Sequence, residues 1–115
     1  MDTDYTLLPK NEEIPDAADF CILMDDDCME PYFHPGDRVF ISRSSPLPSE
    51  MGVFRFNRKI YIRQWCEDYS GTLHLLCSNP VREEVNLHLD REERKRCLCL
   101  GKVLYSGSLR MPTYR

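Results

Sequence analysis

No stretch of this chain approaches the roughly 20 consecutive apolar residues that a membrane-spanning helix requires. Its first twenty residues are acidic and hold no apolar core of signal-peptide length. These absences argue against a membrane protein and lead to the expectation of a cytoplasmic location. No Cys-x-x-Cys occurs either. Cys21, Cys28, Cys66, Cys77, Cys97 and Cys99 lack zinc-knuckle spacing, and Cys97-Leu98-Cys99 alternates as a strand does. No metal or other cofactor is expected, and without a secretion signal the thiols are expected to be reduced.

A concentrated positive face is also missing. Fifteen Lys and Arg stand against nineteen Asp and Glu, a formal net charge of −4, which argues against direct phosphate-backbone binding by this segment. The basic cluster Arg91 to Arg96 is interleaved with Glu92 and Glu93 and reads as a solvated turn. His34, His74 and His88 lie far apart and their spacing points to neither a metal site nor a catalytic triad. No small-molecule ligand is evident. There is no long 3.6-residue periodicity, no repeat and no low-complexity tract; the most helix-like piece, Asp27 to Tyr32, is limited by Pro31.

What remains is enough for one modest core: 115 residues, 42% hydrophobic and 30% charged. Residues 1–17, with Pro9, Pro15 and scattered acids, read as an extended N-terminal arm, and residues 18–115 as a single domain. Strand signals follow in close order at Phe20 to Met24, Arg38 to Arg43, Gly52 to Phe56, Lys59 to Trp65, Thr72 to Cys77, Val85 to Leu89 and Cys97 to Tyr105, where Gly101 is expected to bend the last strand. Asn57-Arg58 has hairpin spacing, although Arg58 suits a positive-φ turn less well than glycine, and Ser70-Gly71 marks another turn. Many short strands without crossover helices predict a mostly β, antiparallel domain with at most one or two short helical turns. Tyr61 and Trp65 are assigned to the face of their strand opposite Arg63, as core or dimer interface.

Four segments carry a family resemblance. Asp26-Asp27-Cys28-Met29-Glu30-Pro31 followed by Pro35-Gly36-Asp37-Arg38-Val39 resembles the G-D-S-M-x-P then x-G-D-x-V signature of LexA-type self-cleaving repressors and their signal-peptidase relatives. Gly52-Val53-Phe54 with Ile60 to Trp65 resembles the segment that presents that family's catalytic Lys. Cys77-Ser78-Asn79-Pro80 ends a stretch like its L-x-S-x-N-P, and Leu100-Gly101-Lys102-Val103 is like its closing G-K-V strand. The resemblance implies a compact, twisted β domain of the LexA and phage-repressor C-terminal type, with a Ser on a turn and a buried neutral Lys on a neighbouring strand. At those positions this chain has Cys28 and Arg63.

The two replacements differ in consequence. A thiolate is a good nucleophile, so Cys28 alone leaves catalysis open. A guanidinium keeps its proton in a protein, so Arg63 cannot serve as the general base. A buried Arg63 also calls for a partner, and Asp25, Asp26, Asp27 and Glu30 are the sequence candidates. The family cuts an Ala-Gly or similar dipeptide ahead of the Ser box; here only Ala17 and Ala18 occur, with no Ala-Gly. Asp26 stands where the family has Gly.

The expected site is therefore degenerate, with Cys28 and Arg63 in the catalytic positions. Asp27, Met29, Pro31, Gly36 and Asp37 shape the turn. Cys28 reads as a small buried residue keeping the shape of Ser, or as a thiol activated by an approaching Arg63. The resemblance implies an inactive or nearly inactive domain that pairs two copies of a repressor-type transcription factor. DNA would then be contacted only through a separate helix-turn-helix domain not present in this chain. A thiol peptidase using Cys28, with His34 or a carboxylate as base, is the enzymatic alternative; a small β-rich binding module is a third.

Overall fold

The structure, a computed structural model, describes residues 5–7, 15–107 and 109. Among them are eight strands: β1 (Tyr5–Leu7), β2 (Phe20–Leu23), β3 (Arg38–Ser42), β4 (Met51–Phe56), β5 (Lys59–Glu67), β6 (Leu73–Leu76), β7 (Leu87–Leu89) and β8 (Leu98–Val103). They form one sheet in the order β1-β2-β3-β8-β4-β5-β6-β7, and every neighbouring pair is antiparallel. The mostly β, antiparallel expectation holds. Within residues 1–17, the expected arm, Tyr5–Leu7 pairs with β2 as the sheet edge. Residues 1–4 and 8–14 lie outside the described residues, as do 108 and 110–115 in the expected 18–115 domain.

Among the described residues two helical turns occur, at Pro80–Val85 and Glu93–Arg96, both 3₁₀. The first takes the start of the strand expected at Val85, because Asn79 accepts the Val81 N–H as an N-cap and Pro80 sits where its missing N–H is not needed. The Asp27 to Tyr32 segment is a string of turns.

The middle of the sheet explains why the core needs no helix. Strand β4 is covered on both faces: Met51 and Val53 join a cluster with Phe20, Ile22, Val39, Ile41 and Ile62, whereas Phe54 and Phe56 join a second with Leu73, Leu75 and Leu89. A strand buried on both faces reads as a nearly continuous apolar run. The β4–β5 hairpin closes through Asn57 (φ 50°) and Arg58 (φ 67°), the two positive angles a two-residue turn of the favoured hand requires, despite the arginine. Strand β8 slips by one residue between its pairings Val53↔Gly101 and Phe54↔Cys99, which leaves Leu100 unpaired beside Gly101, where the bend was expected.

Candidate active-site cleft

The turn bearing Cys28 hangs between β2 and β3. Its neck is tied by Met24 N–H donating to the Asp37 carbonyl at 2.9 Å and Gly36 N–H to the Met24 carbonyl at 2.8 Å. Gly36 has φ +92°, a conformation costly for other residues. Asp37 also accepts the His34 N–H through Oδ2 at 2.8 Å. The turn itself winds around Met29, which is fully buried in the larger core cluster and whose carbonyl accepts the Tyr32 and Phe33 N–H groups. Pro31 is exposed and follows a cis peptide bond. Cys28 is 1% exposed, and its N–H donates to Asp26 Oδ1 at 3.0 Å, so an Asp side chain does at this turn what a Gly could not.

A second strut comes from the end of β6. Ser78 Oγ donates to the Glu30 carbonyl at 2.9 Å, Asn79 Nδ2 to the Asp27 carbonyl at 2.9 Å, and Asn79 N–H to the Cys28 carbonyl at 3.0 Å. The buried Asn79 side chain therefore holds the site turn and caps the following 3₁₀ turn at once. Asn79→Ala strands both partners and is expected to lower stability by about 1–3 kcal/mol in urea unfolding. Asn79→Asp should recover little, because a carboxylate can keep the cap but cannot donate to the Asp27 carbonyl.

Cys28 and Arg63 line the same cleft, about 510 Å³, together with Leu23, Asp26, Ile60 and Arg82 among others. Arg63 is 4% exposed. Its Nη1 donates to the Ile62 carbonyl at 2.8 Å and its guanidinium lies 5.3 Å from the centre of the Tyr61 ring. That stacking corrects the assignment of Tyr61 to the opposite face, since the two-residue period of a strand places residues 61, 63 and 65 on one side. Trp65 and Tyr61 do pack against the smaller core cluster.

The expected acidic partner for Arg63 is also corrected. Among the described residues no carboxylate forms an ion pair with it. Asp27 instead meets Arg82 Nε at 3.2 Å, Glu30 meets His34 Nδ1 at 3.0 Å, and Asp26 is committed to the Cys28 N–H. The Arg63 Nε is buried without a hydrogen-bond partner.

Two residues without an expected role stand at this site. Arg82 is held more firmly charged by hydrogen bonding to the Cys28 side chain, and then by Asp27. Burial pushes the Cys77 thiol up to about 12; the Arg63 charge pulls it down, and a hydrogen bond with Cys28 adds to the rise. Cys77 was legible as part of the stretch before Asn79-Pro80, whereas nothing in the spacing of Arg82 marked it.

The histidines take the surface and sheet positions expected of them, His34 exposed and His74 and His88 on β6 and β7, but two of them meet. Residues 74 and 88 are fourteen apart in sequence but directly opposite in the β6–β7 register, with Nδ1 to Nδ1 at 2.7 Å. His74 Nε2 lies 2.9 Å from Asp68 Oδ2. The Ser70 hydroxyl first, then His74, hold the Asp68 carboxyl well below its ordinary 3.8. A carboxyl whose pKa is depressed on folding stabilises the fold above its unfolded value, and that contribution is lost as pH falls toward the folded value. The urea midpoint should therefore fall from about pH 4 downward, and Asp68→Asn should flatten this acid limb.

Cys28, on its turn, and Arg63, on β5, thus line one cleft. A model of the Peptidase S24-like family matches residues 2–104. The chain belongs to that family. It is the family of the LexA and phage-repressor C-terminal domains. No curated protein matches the chain. Among the described residues no helix of this S24-like chain is long and apolar enough to cross a membrane, and none of the six cysteines is in a disulfide.

Proposed function

We propose that this S24-like chain is a catalytically inactive, or nearly inactive, LexA-type domain through which a cytoplasmic, phage-related repressor-type regulator pairs with a second copy of itself. The observation that carries the reading is Arg63, buried and lining the same cleft as Cys28, at the position where the family resemblance implies a proton acceptor. A guanidinium can neither take a proton from Cys28 nor pass one to a leaving amine. His34 does not line the cleft and is occupied by Glu30. Contact with DNA is assigned to a separate helix-turn-helix domain, and pairing of two copies matches such domains to a two-fold operator.

Two measurements test the proposal. Intact mass after days at mildly alkaline pH should be unchanged, and light scattering at tens of micromolar should give twice the chain mass. A truncated product that disappears in Cys28→Ala would establish the thiol-peptidase reading instead. A monomer at that concentration would remove the pairing.

A further inference from the structure

Among the described residues the charge of Arg63 has no ion-pair partner, the strongest unexplained demand there. A buried cation without a counter-ion is costly, because desolvation penalises the charge and nothing nearby restores what water supplied. Arg63 has one hydrogen bond, to the Ile62 carbonyl, and a ring beneath it. Its Nε has none. Every acid near it in the turn is either engaged elsewhere or, like Asp25, exposed and not in ion-pair contact.

The cleft around that charge has the size of a small-molecule site, with a lining more polar than apolar. Its volume, about 510 Å³, falls in the usual range for bound organic ligands. Leu23, Met24, Ile60, Val85 and Leu87 give it apolar walls. Lys59, Arg63 and Arg82 line it with Asp25 and Asp26, three cations against two carboxylates, so one net positive charge remains. Arg82 is already neutralised by Asp27 and Glu84. With Arg82 set aside, Lys59 and Arg63 stand against Asp25 and Asp26, so the lining is balanced overall and the uncompensated charge is local to the buried Arg63 guanidinium, Lys59 lying at the exposed rim. A single buried guanidinium flanked by two carboxylates favours a monoanion over a dianionic phosphate, and a planar carboxylate matches guanidinium geometry.

We infer that the cleft between the Cys28 turn and β5 binds a small organic carboxylate, with its anionic head against Arg63 and its apolar body along Leu23, Met24, Ile60 and Val85. The inference takes the inactive reading of the cleft as its starting point. An arginine in place of a proton-accepting amine converts a site for making and breaking bonds into one for holding an anion.

Calorimetric titration with hexanoate, octanoate and benzoate tests it, with 1-hexanol and inorganic phosphate as the uncharged and dianionic arms. The carboxylates should bind saturably with Kd between about 10 µM and about 1 mM, and hexanol and phosphate should be at least about tenfold weaker. In amide spectra of the ¹⁵N-labelled protein, octanoate should move Cys28, Ile62 and Arg63. Arg63→Met should weaken octanoate at least about tenfold, and Arg63→Lys should retain part of the affinity. If Arg63→Met does not fold, the amide shifts of the unsubstituted protein decide alone.

No saturable binding up to about 10 mM, shifts confined to another face, equal affinity for phosphate, or undiminished binding in a folded Arg63→Met would each overturn the inference. Intact mass is measured on the same samples. A chain that is cleaved overturns the inactive reading whether or not octanoate binds, and an intact chain that binds nothing overturns only the carboxylate site.

Discussion

The Arg63→Met variant is expected to unfold at higher urea concentration than the unsubstituted protein, by about 1–3 kcal/mol, in buffer free of carboxylates. The sign follows from the opposing contributions at this position. Methionine forfeits the Tyr61 stack, worth about 0.5–2 kcal/mol, and the Nη1 hydrogen bond to the Ile62 carbonyl, worth about 1.5–3 kcal/mol as a bond from a charged group. It also removes the desolvation of an unpaired cation, a penalty of several kcal/mol in a real protein interior, and fills much of the space with a flexible apolar chain. Loss of stability in the variant would show that Arg63 is compensated in solution. Saturating octanoate should narrow or reverse the difference, because a ligand that binds only the unsubstituted fold stabilises only that fold. Residues held at a cost to stability are characteristic of sites selected for binding.

A second large effect is expected at the opposite side of the sheet centre. Gly101→Val should fail to fold, or lose at least about 4 kcal/mol, a size reserved for changes in which the backbone itself is obstructed. A Cβ on Gly101 would collide with the Ser42 carbonyl oxygen and stand 2.7 Å from Ile41 Cγ2. Strand β8 is the only link between β3 and β4 in the sheet order, so displacing it at Gly101 separates the half that carries the Cys28 turn from the half that carries Arg63. Far-ultraviolet circular dichroism and solubility of the purified variant check this. Gly101→Ala should be milder but still clearly destabilised, because the nearest obstacle is a backbone atom that cannot rotate away.

Much of the strand framework was legible because antiparallel strands announce themselves locally. Val39 and Ile41 alternate along β3, Asn57-Arg58 leaves only two residues for a turn, and Gly101 interrupts a closing strand that proves to slip there. The 3₁₀ turn at Pro80–Val85 was missed because its signal is short, an Asn cap followed by Pro, and easily absorbed into the strand that begins two residues later. Parity misplaced Tyr61, although the rule that corrects it is the period of two.

The candidate site divides along the same line. Cys28 and Arg63 were identifiable as a pair only through ordered motifs resembling a family, and the cleft brings them to one cavity. Their electrostatic surroundings were not readable. Four acids within six residues of Cys28 made an ion pair with Arg63 a reasonable expectation, yet each has a different commitment set by the turn: Asp26 to a backbone N–H, Asp27 to Arg82, Glu30 to His34, and Asp25 to solvent. Proximity in sequence does not fix direction, because a turn points successive side chains to different sides.

The sequence by itself determined the order of the strands along the chain, the antiparallel class and the presence at position 63 of a side chain that cannot accept a proton, since these depend on local periodicity, short connections and the chemistry of a guanidinium. Only the tertiary structure decided that Arg63 is buried without a carboxylate among the described residues, that Arg82 and Cys77 approach Cys28, and that His74 meets His88. Those facts depend on strand register and on the Asn79 strut, which join residues distant in sequence through contacts that no local pattern specifies.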